Sequence, residues 1–301
     1  MKAAVTTYQQ TPQWQEVAAP PGGAGLVPVT MTAVAIHNLA RGVANGTHYS
    51  SPAEPGAWVG VDGVGRLDDG TRVYVNAPGT VAERLYAPAA ALVPVPDALP
   101  DVQAAAAVNA AMSSWMAMTV RAHVEPGQTV LILGATGASG RMAVPLARHF
   151  GARVIAAGRN AEILAAVGAD ATVDLTDSED AVRNALRAEK IDVVIDYVWG
   201  RVAELTFDSL AGRGRATYVE VGAMAGSSAA VPAALLRSTD VRILGSGIGS
   251  FTRDEVMTAR PAMLDAVVEL GIEVDVVTRP AADIAAAWTE DLGSSRLVLT
   301  L

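Results

Sequence analysis

The second half of the chain alternates apolar runs with segments of helical character. Six apolar runs of five to seven residues lie between residues 129 and 245: Thr129–Leu133, Arg153–Ala157, Ala171–Leu175, Ile191–Asp196, Arg215–Val221 and Val241–Gly245. A run that is apolar throughout is typical of a strand buried on both faces, and helical segments separate these runs. The pattern therefore predicts an α/β fold, a doubly wound parallel sheet covered by helices, with strand order 3-2-1-4-5-6.

The first hundred residues have a different pattern, in which short β-rich runs alternate with turn formers. The runs are Leu26–Ala35, Gly60–Leu67, Arg72–Asn76 and Val81–Tyr86. This spacing predicts an irregular β unit, a barrel or partial barrel. After residue 250 we expect one helix, Asp254–Leu270, and closing strands that return to this unit. The predicted domains are 1–103, 104–249 and 250–301 of the chain.

A glycine-rich turn follows the first buried strand and opens a helix. The turn consists of Gly134, Ala135, Thr136, Gly137, Ala138, Ser139 and Gly140. With Ala135 in the first place, it follows the Gly-x-Gly-x-x-Gly pattern, in which the second glycine admits a pyrophosphate and the third packs the helix on the sheet. Phosphates would bind the free N–H groups of the helix N-terminus. The alternative is a tight turn without a ligand, but the surrounding alternation favours a dinucleotide.

The end of the second strand indicates which dinucleotide binds. A site for NAD places an Asp or Glu there, to accept from the ribose 2′-hydroxyl. This strand ends instead in Gly158, Arg159 and Asn160. Gly158 leaves room, and the Arg159 guanidinium suits a 2′-phosphate. The sequence predicts NADP(H), unless Arg159 is only a solvated charge at a helix start.

Composition excludes several classes of protein. The 301 residues carry a formal net charge of −9 and include no cysteine. The acidic balance argues against nucleic acid and anionic membranes as partners, and the missing thiols exclude disulfides and cysteine-ligated zinc. The apolar stretch from Ala104 to Val120 is more typical of a buried helix than of a membrane span. We see no targeting segment and expect a cytoplasmic protein.

Further motifs occur in the order of one known family. They are Val59–Gly65, Asp69–Tyr74, Thr80–Leu85, Leu92–Pro96, Ala104–Met118, Glu125–Val130, Asp192–Asp196 and Val219–Ala223. Together with the glycine turn they resemble the medium-chain dehydrogenase/reductase superfamily, in its zinc-independent NADPH:quinone oxidoreductase branch. The resemblance covers nearly the whole chain. It implies an N-terminal GroES-like domain, a Rossmann domain, and hydride transfer from NADPH to a quinone or an α,β-unsaturated carbonyl.

The resemblance also implies roles for particular residues. Ser113 would lie near the nicotinamide amide, and Val221, Gly222 and Ala223 would lie along the nicotinamide and its ribose. The substrate cleft would be lined by Tyr197 and Val198, and by Ser246, Gly247 and Ile248. The sixth strand, Val241–Gly245, should be the sheet edge, which in this family pairs across a two-fold axis, and we therefore expect a homodimer.

The chain differs from the family pattern at positions where that family binds metal or acts on the substrate. Zinc-dependent members need cysteine ligands and a His-Glu pair, but Val61 and Asp62 stand at that pair, so we expect no metal. Asn38 keeps its place, whereas Arg41 replaces an Asp and would contact an acidic substrate or pair at the surface. A developing oxyanion needs a hydrogen-bond donor. We expect Tyr49 to supply it, with Asn38 as a second polar group, although an exposed loop tyrosine and a turn-stabilising asparagine are the simpler interpretations.

Other functions stay open at this point. A short-chain reductase needs Tyr-x-x-x-Lys, but the residue four before Lys190 is Leu186, and no serine here has the Gly-x-Ser-x-Gly frame of a hydrolase. Besides a quinone or enone reductase, the chain could be an enoyl-thioester reductase on the same scaffold, or a non-catalytic NADPH-binding sensor or structural protein.

Overall fold

The chain divides into two compact units. A computed structural model describes residues 1–8, 10–52 and 58–301. One unit contains 1–109 and 267–301, and the other contains 110–266. The second unit thus starts and ends later than the predicted range 104–249, because most of the helix after residue 252 belongs to it.

The described residues form the following elements. The strands are β1 (Lys2–Val5), β2 (Gln13–Glu16), β3 (Leu26–Ile36), β4 (Asp62–Arg66), β5 (Arg72–Asn76), β6 (Arg84–Pro88), β7 (Leu92–Pro94), β8 (Thr129–Leu133), β9 (Arg153–Gly158), β10 (Ala171–Asp174), β11 (Val193–Asp196), β12 (Ala216–Glu220), β13 (Val241–Gly245), β14 (Val276–Pro280) and β15 (Arg296–Thr300). The α-helices are α1 (Asn38–Asn45), α2 (Asp101–Met116), α3 (Ala138–His149), α4 (Ala161–Ala166), α5 (Glu179–Ala188), α6 (Gly200–Leu210), α7 (Ala233–Ser238), α8 (Arg253–Glu269) and α9 (Ile284–Ala287).

The second unit is built on a parallel sheet in the order β10-β9-β8-β11-β12-β13. This is the predicted order 3-2-1-4-5-6, and the α/β doubly wound fold is confirmed. Strands β8 and β11 are buried along their whole length, as their continuous apolar runs require. Leu131, Ile155, Val194, Phe207 and Tyr218 form part of the core between the sheet and its helices.

The first unit contains a mostly antiparallel sheet in the order β14-β15-β3-β4-β5-β7, with β6 also paired to β3. Strand β15 pairs with β3, so the C-terminal tail completes the N-terminal sheet. Its core includes Val29, Val34, Val75, Ile284 and Leu299. The β-rich unit is confirmed, but the sequence missed helix α1 and started β6 three residues too early.

No helix in the described part of the chain is long and apolar enough to cross a membrane. Helix α2 contains most of the apolar stretch Ala104–Val120, and it packs as a buried helix with Ala104, Ala105, Ala106 and Ala107 almost fully covered.

Candidate functional site

The turn between β8 and α3 has the geometry of a phosphate-binding turn. Gly134 has a φ of +85°, a conformation that L side chains rarely adopt. A Cβ on Gly140 would lie 2.2 Å from the Gly134 carbonyl oxygen and 2.6 Å from the Ala135 Cα atom. The third glycine is therefore required by backbone packing, as the motif predicted.

The N-terminus of α3 is open to an anion. Gly137 is the N-cap, with extended backbone and no side-chain cap, and it is exposed, while Ala138 and Ser139 are half-buried. The first N–H groups of a helix have no intrahelical acceptor, and the helix dipole adds partial positive charge there. Because no side chain occupies the cap, a phosphate can take that place.

The end of β9 lies against the same turn. A Cβ on Gly158 would lie 2.5 Å from the Thr136 methyl carbon, so Gly158 keeps the two segments in contact. Arg159 is exposed, and no ion pair joins its guanidinium to a carboxylate in the described ranges. Asn160 caps helix α4 by accepting from the Ile163 N–H at 3.0 Å, which assigns its side chain a structural role.

Tyr197 and Val198 follow β11 at the neighbouring strand end. A Cβ on Gly134 would be 3.0 Å from Val198 Cγ1 and 3.4 Å from Tyr197 Cβ. The Tyr197 hydroxyl lies 2.7 Å from the Ser114 hydroxyl, and the Ser113 hydroxyl is also beside it. Burial outweighs both serine hydrogen bonds and raises the pKa of Tyr197 to about 12, so the phenol keeps its proton at neutral pH.

The segments after β12 and β13 complete this edge of the sheet. The N–H groups of Val221 and Gly222 donate to the Asp196 carbonyl at 2.7 and 3.1 Å. Ala223 is exposed, as is Ile248 beyond Gly247. Ser246 is buried, and among the described residues its hydroxyl has no hydrogen-bond partner. A buried polar group without a partner is costly, so this hydroxyl suits a ligand.

Asp196 has a buried carboxylate beneath this edge, and the sequence analysis gave it no functional role. Asp196 Oδ1 accepts from the Val198 and Trp199 N–H groups at 2.7 and 3.0 Å, and Tyr218 donates to Oδ2 at 2.5 Å. Burial nevertheless raises the pKa of Asp196. The two backbone bonds hold Trp199 at a φ of 56°, which is strained for a non-glycine residue. Asp196 therefore fixes the turn that carries Tyr197 and Val198.

The first unit holds the residues expected to act on the substrate. Asn38 is the first residue of α1 and is exposed. Tyr49 lies in the turn after α1, and 71% of its surface is exposed, beside the His48 ring at 4.0 Å. Arg41 was expected to meet an acidic substrate or a surface acid, but it donates to the Trp288 carbonyl and lies 4.9 Å over the indole ring. Burial accordingly lowers the pKa of Arg41.

Helix α1 is held by a buried polar network that the sequence did not reveal. His37 caps the helix, since its Nδ1 accepts from the Ala40 N–H at 3.2 Å. Its Nε2 lies 3.0 Å from Asp62 Oδ1, and Tyr74 donates to Oδ2 at 2.6 Å. Burial alone would raise the pKa of Asp62, but His37, these hydrogen bonds and the charge of Arg296 lower it. The one hint of this network in the sequence was that Asp62 stands where zinc-dependent members of the family have the glutamate of their His-Glu pair.

No group of three or more His, Asp and Glu side chains is placed to hold a metal ion in residues 1–8, 10–52 and 58–301.

Comparisons with known proteins agree with this geometry. The family model described as zinc-binding dehydrogenase matches residues 138–287. A probable NADPH-dependent quinone reductase, tdiC of Emericella nidulans, is 35% identical over 223 residues, which are 67% of this chain and 62% of that protein. The quinone oxidoreductase from Thermus thermophilus is 26% identical, with a TM-score of 0.85 over all of both chains. A mycobacterial quinone oxidoreductase is 23% identical, with a TM-score of 0.88 over all of both chains, and shows the fold.

This chain belongs to the medium-chain dehydrogenase/reductase superfamily. The match spans about six-tenths of the curated relative's length.

Within this superfamily fold, the second unit brings most of the predicted cofactor residues to one sheet edge. The glycine turn, Gly158, Tyr197, Val198 and Gly222 are tied together by the contacts above. Asn38 and Tyr49 belong to the first unit, and their role in the reaction stays a prediction. Sequence reasoning missed Ser114, because a small hydroxyl in an Ala-rich helix is typical of an ordinary buried position.

Proposed function

We propose that this chain is an NADPH-dependent oxidoreductase that transfers hydride to a quinone or an α,β-unsaturated carbonyl without zinc. One observation carries the proposal above the others. The strand end that would select the cofactor, β9, presents the exposed cation Arg159 and a buried glycine in place of a carboxylate. A cation at this position favours a ribose 2′-phosphate over a free 2′-hydroxyl.

The residues of the second unit fit a dinucleotide phosphate in three ways. The third glycine of the turn leaves no space for a Cβ, so the helix end comes close to the strand end. The N-cap of α3 has no side chain of its own to satisfy the helix N–H groups. The buried Ser246 hydroxyl has no protein partner in the described residues. The second and third features leave polar groups unsatisfied, and a bound ligand would remove that cost.

When bound, the reduced nicotinamide supplies the hydride, and the protein supplies position and polarity. Residues 134–140 would hold the pyrophosphate, and Arg159 the 2′-phosphate. Ser113, Gly222, Ala223 and Ser246 would border the nicotinamide end. Tyr49 and Asn38 are proposed to donate hydrogen bonds to the acceptor oxygen as negative charge develops on it.

The relatives support the same conclusion by name. One is named as a probable NADPH-dependent quinone reductase, and the quinone oxidoreductase from Thermus thermophilus has been solved in complex with NADPH. By analogy with these relatives, we assign NADPH as the cofactor and a quinone or enone as the acceptor.

The test follows the absorbance of reduced cofactor with purified protein, NADPH or NADH, and a panel of quinones, enones and one enoyl thioester. We expect loss of NADPH with a quinone or enone and little reaction with NADH. Reduction of the enoyl thioester alone would favour that alternative, and saturable NADPH binding without turnover would favour a sensor. Arg159→Ala should weaken NADPH by about tenfold or more and NADH little, since a charge-assisted pair is lost.

The matched control is Arg237→Ala, which also removes an exposed arginine. Arg237 lies on helix α7, which precedes the edge strand β13 and lies far along the sheet from β9. This variant should leave both cofactors unchanged. Equal weakening of NADPH and NADH by Arg159→Ala would contradict the assigned role of Arg159.

The assembly and the location belong to this proposal as well. Strand β13 is the sheet edge, and its side chains are only half-buried or exposed in the single chain. An uncovered apolar edge favours pairing, so we propose a homodimer, and a monomer mass in light scattering at micromolar concentration would contradict it. A cytoplasmic location is proposed from the sequence and is tested by cell fractionation.

A further inference from the structure

Three hydroxyl groups form a cluster at the carboxyl edge of the parallel sheet. They belong to Ser113 and Ser114 of α2 and to Tyr197 after β11. Ser114 is fully buried, whereas Ser113 and Tyr197 are half-buried. The family pattern placed Ser113 near the nicotinamide and Tyr197 in the cleft, but it gave Ser114 no role and did not link the three hydroxyls.

The hydrogen-bond directions in this cluster follow from its carbonyl partners. Ser114 Oγ lies 3.1 Å from the Ala110 carbonyl, 3.3 Å from the Ser139 carbonyl and 2.7 Å from the Tyr197 hydroxyl. A carbonyl only accepts, and a serine has one hydrogen to donate. A carbonyl that takes the Ser114 hydrogen leaves the Ser114 oxygen to accept from Tyr197, although either hydroxyl can be the donor in this pair.

Ser113 is oriented by the same helix turn. Its hydroxyl donates to the Ala110 carbonyl at 2.8 Å. Because its one hydrogen is committed there, its oxygen keeps lone pairs with which it can accept a hydrogen bond. The carboxamide of a nicotinamide has an NH₂ group that needs such an acceptor.

Tyr197 connects this pair of serines to the cofactor-binding edge. Its N–H donates to the Leu133 carbonyl at 3.1 Å, and a Cβ on Gly222 would lie 3.1 Å from its carbonyl oxygen. The residue is thus fixed between β8 and the segment after β12. The phenol hydroxyl contacts Ser114 and Ser113, so the fixed position of Tyr197 also restrains these two residues of α2.

We propose that Tyr197 is a positioning residue, whose hydrogen bond to Ser114 holds the adjacent Ser113 as the acceptor for the nicotinamide carboxamide. This inference rests on the proposed function, because it assumes that the glycine turn binds NADPH. The Tyr197–Ser114 bond then contributes to binding of the nicotinamide half of the cofactor and not to its adenine half.

The test measures dissociation constants for two probes with purified wild type and variants. NADPH carries the nicotinamide, whereas 2′,5′-ADP carries only the adenine, the ribose and its 2′-phosphate. Tyr197→Phe should weaken NADPH by about tenfold, the worth of one net hydrogen bond. The dissociation constant of 2′,5′-ADP should change by less than about twofold.

Ser114→Ala repeats the test if Tyr197→Phe does not fold. It should give the same selective loss, and the double variant should be no weaker than the weaker single variant, because both remove one shared interaction. The matched control is Ser209→Ala. Ser209 is also buried in a helix and donates to a carbonyl four residues back, Leu205, at 2.8 Å. This control should leave both dissociation constants unchanged.

The outcomes separate this inference from the function on which it rests. Selective loss of NADPH affinity in both variants supports the role of Tyr197. Equal loss for both probes, or loss for neither, overturns that role while wild-type NADPH binding still stands. A wild type that binds neither probe overturns the proposed function, and this inference with it.

Discussion

Replacing Gly140 by alanine tests the turn on which the cofactor assignment depends. The new Cβ would lie 2.2, 2.6 and 2.8 Å from backbone atoms of Gly134 and Ala135, and real Cβ atoms essentially never approach within 3.0 Å. These neighbours are backbone, so no rotamer change relieves the contact. The turn itself must open, or helix α3 must move away from β8.

Two opposing effects set the size of the change. Alanine is favoured over glycine inside a helix by about 1 kcal/mol. Overpacking of a tight contact typically costs about 1–3 kcal/mol and sometimes more. Because three backbone atoms are involved, we expect the upper part of that range, a net loss of about 1–2 kcal/mol. That loss corresponds to a factor of roughly 5–30 in an equilibrium constant.

The assay combines thermal unfolding with NADPH titration. For a domain of roughly 150–250 residues, each kcal/mol shifts Tm by about 2–4 °C, so Gly140→Ala should lower Tm by a few degrees. NADPH affinity should fall by about tenfold or more, since the phosphates bind the displaced N–H groups. The control is Gly245→Ala, whose Cβ meets nothing within 4 Å. A Gly140→Ala protein with unchanged Tm and unchanged NADPH affinity would refute the packing argument.

Two further predictions concern the first unit. Tyr49→Phe should lower kcat for a quinone or enone by about tenfold without changing NADPH affinity, because a donor to a developing oxyanion is lost, and steady-state kinetics with unchanged turnover would remove Tyr49 from the mechanism. Asp62→Asn should lower the free energy of unfolding by about 1–3 kcal/mol at neutral pH, whereas Asp68→Asn, at an exposed ion pair with Arg84, should change it by less than about 1 kcal/mol. The folded-state pKa of Asp62 is lowered, so its stabilisation is fully present above the unfolded pKa, near 4, and is lost as the pH falls through the folded-state pKa. The free energy of unfolding of Asp62→Asn, measured with denaturant, should therefore fall less on acidification than that of wild type.

The parallel sheet could be predicted from the sequence because its central strands carry continuous apolar runs. Thr129–Leu133 was located to the residue, and so was the edge strand Val241–Gly245, although its side chains are only half-buried or exposed. The glycine turn was equally predictable, since only glycine fits where backbone meets backbone, as at Gly140. These are local requirements, and a short window of sequence contains them.

Long-range polar contacts could not be predicted in the same way. His37, Asp62 and Tyr74 are 25 and 12 residues apart, and the sheet alone brings them together. A histidine is also an unusual N-cap, so helix α1 lacked its ordinary start signal. The contact of Arg41 with Trp288 could not be predicted for the same reason, because the two residues are 247 positions apart.

The most direct test of the central claim follows the transferred hydrogen itself. The protein is incubated with NADPH carrying deuterium at the transferred nicotinamide position and with an enone acceptor. The reduced product is then analysed by mass spectrometry and NMR. Direct hydride transfer predicts one deuterium on the β-carbon of the product and none there when the label is only in the solvent. A product without cofactor-derived deuterium, or no product with any quinone or enone, would contradict an NADPH-dependent reductase.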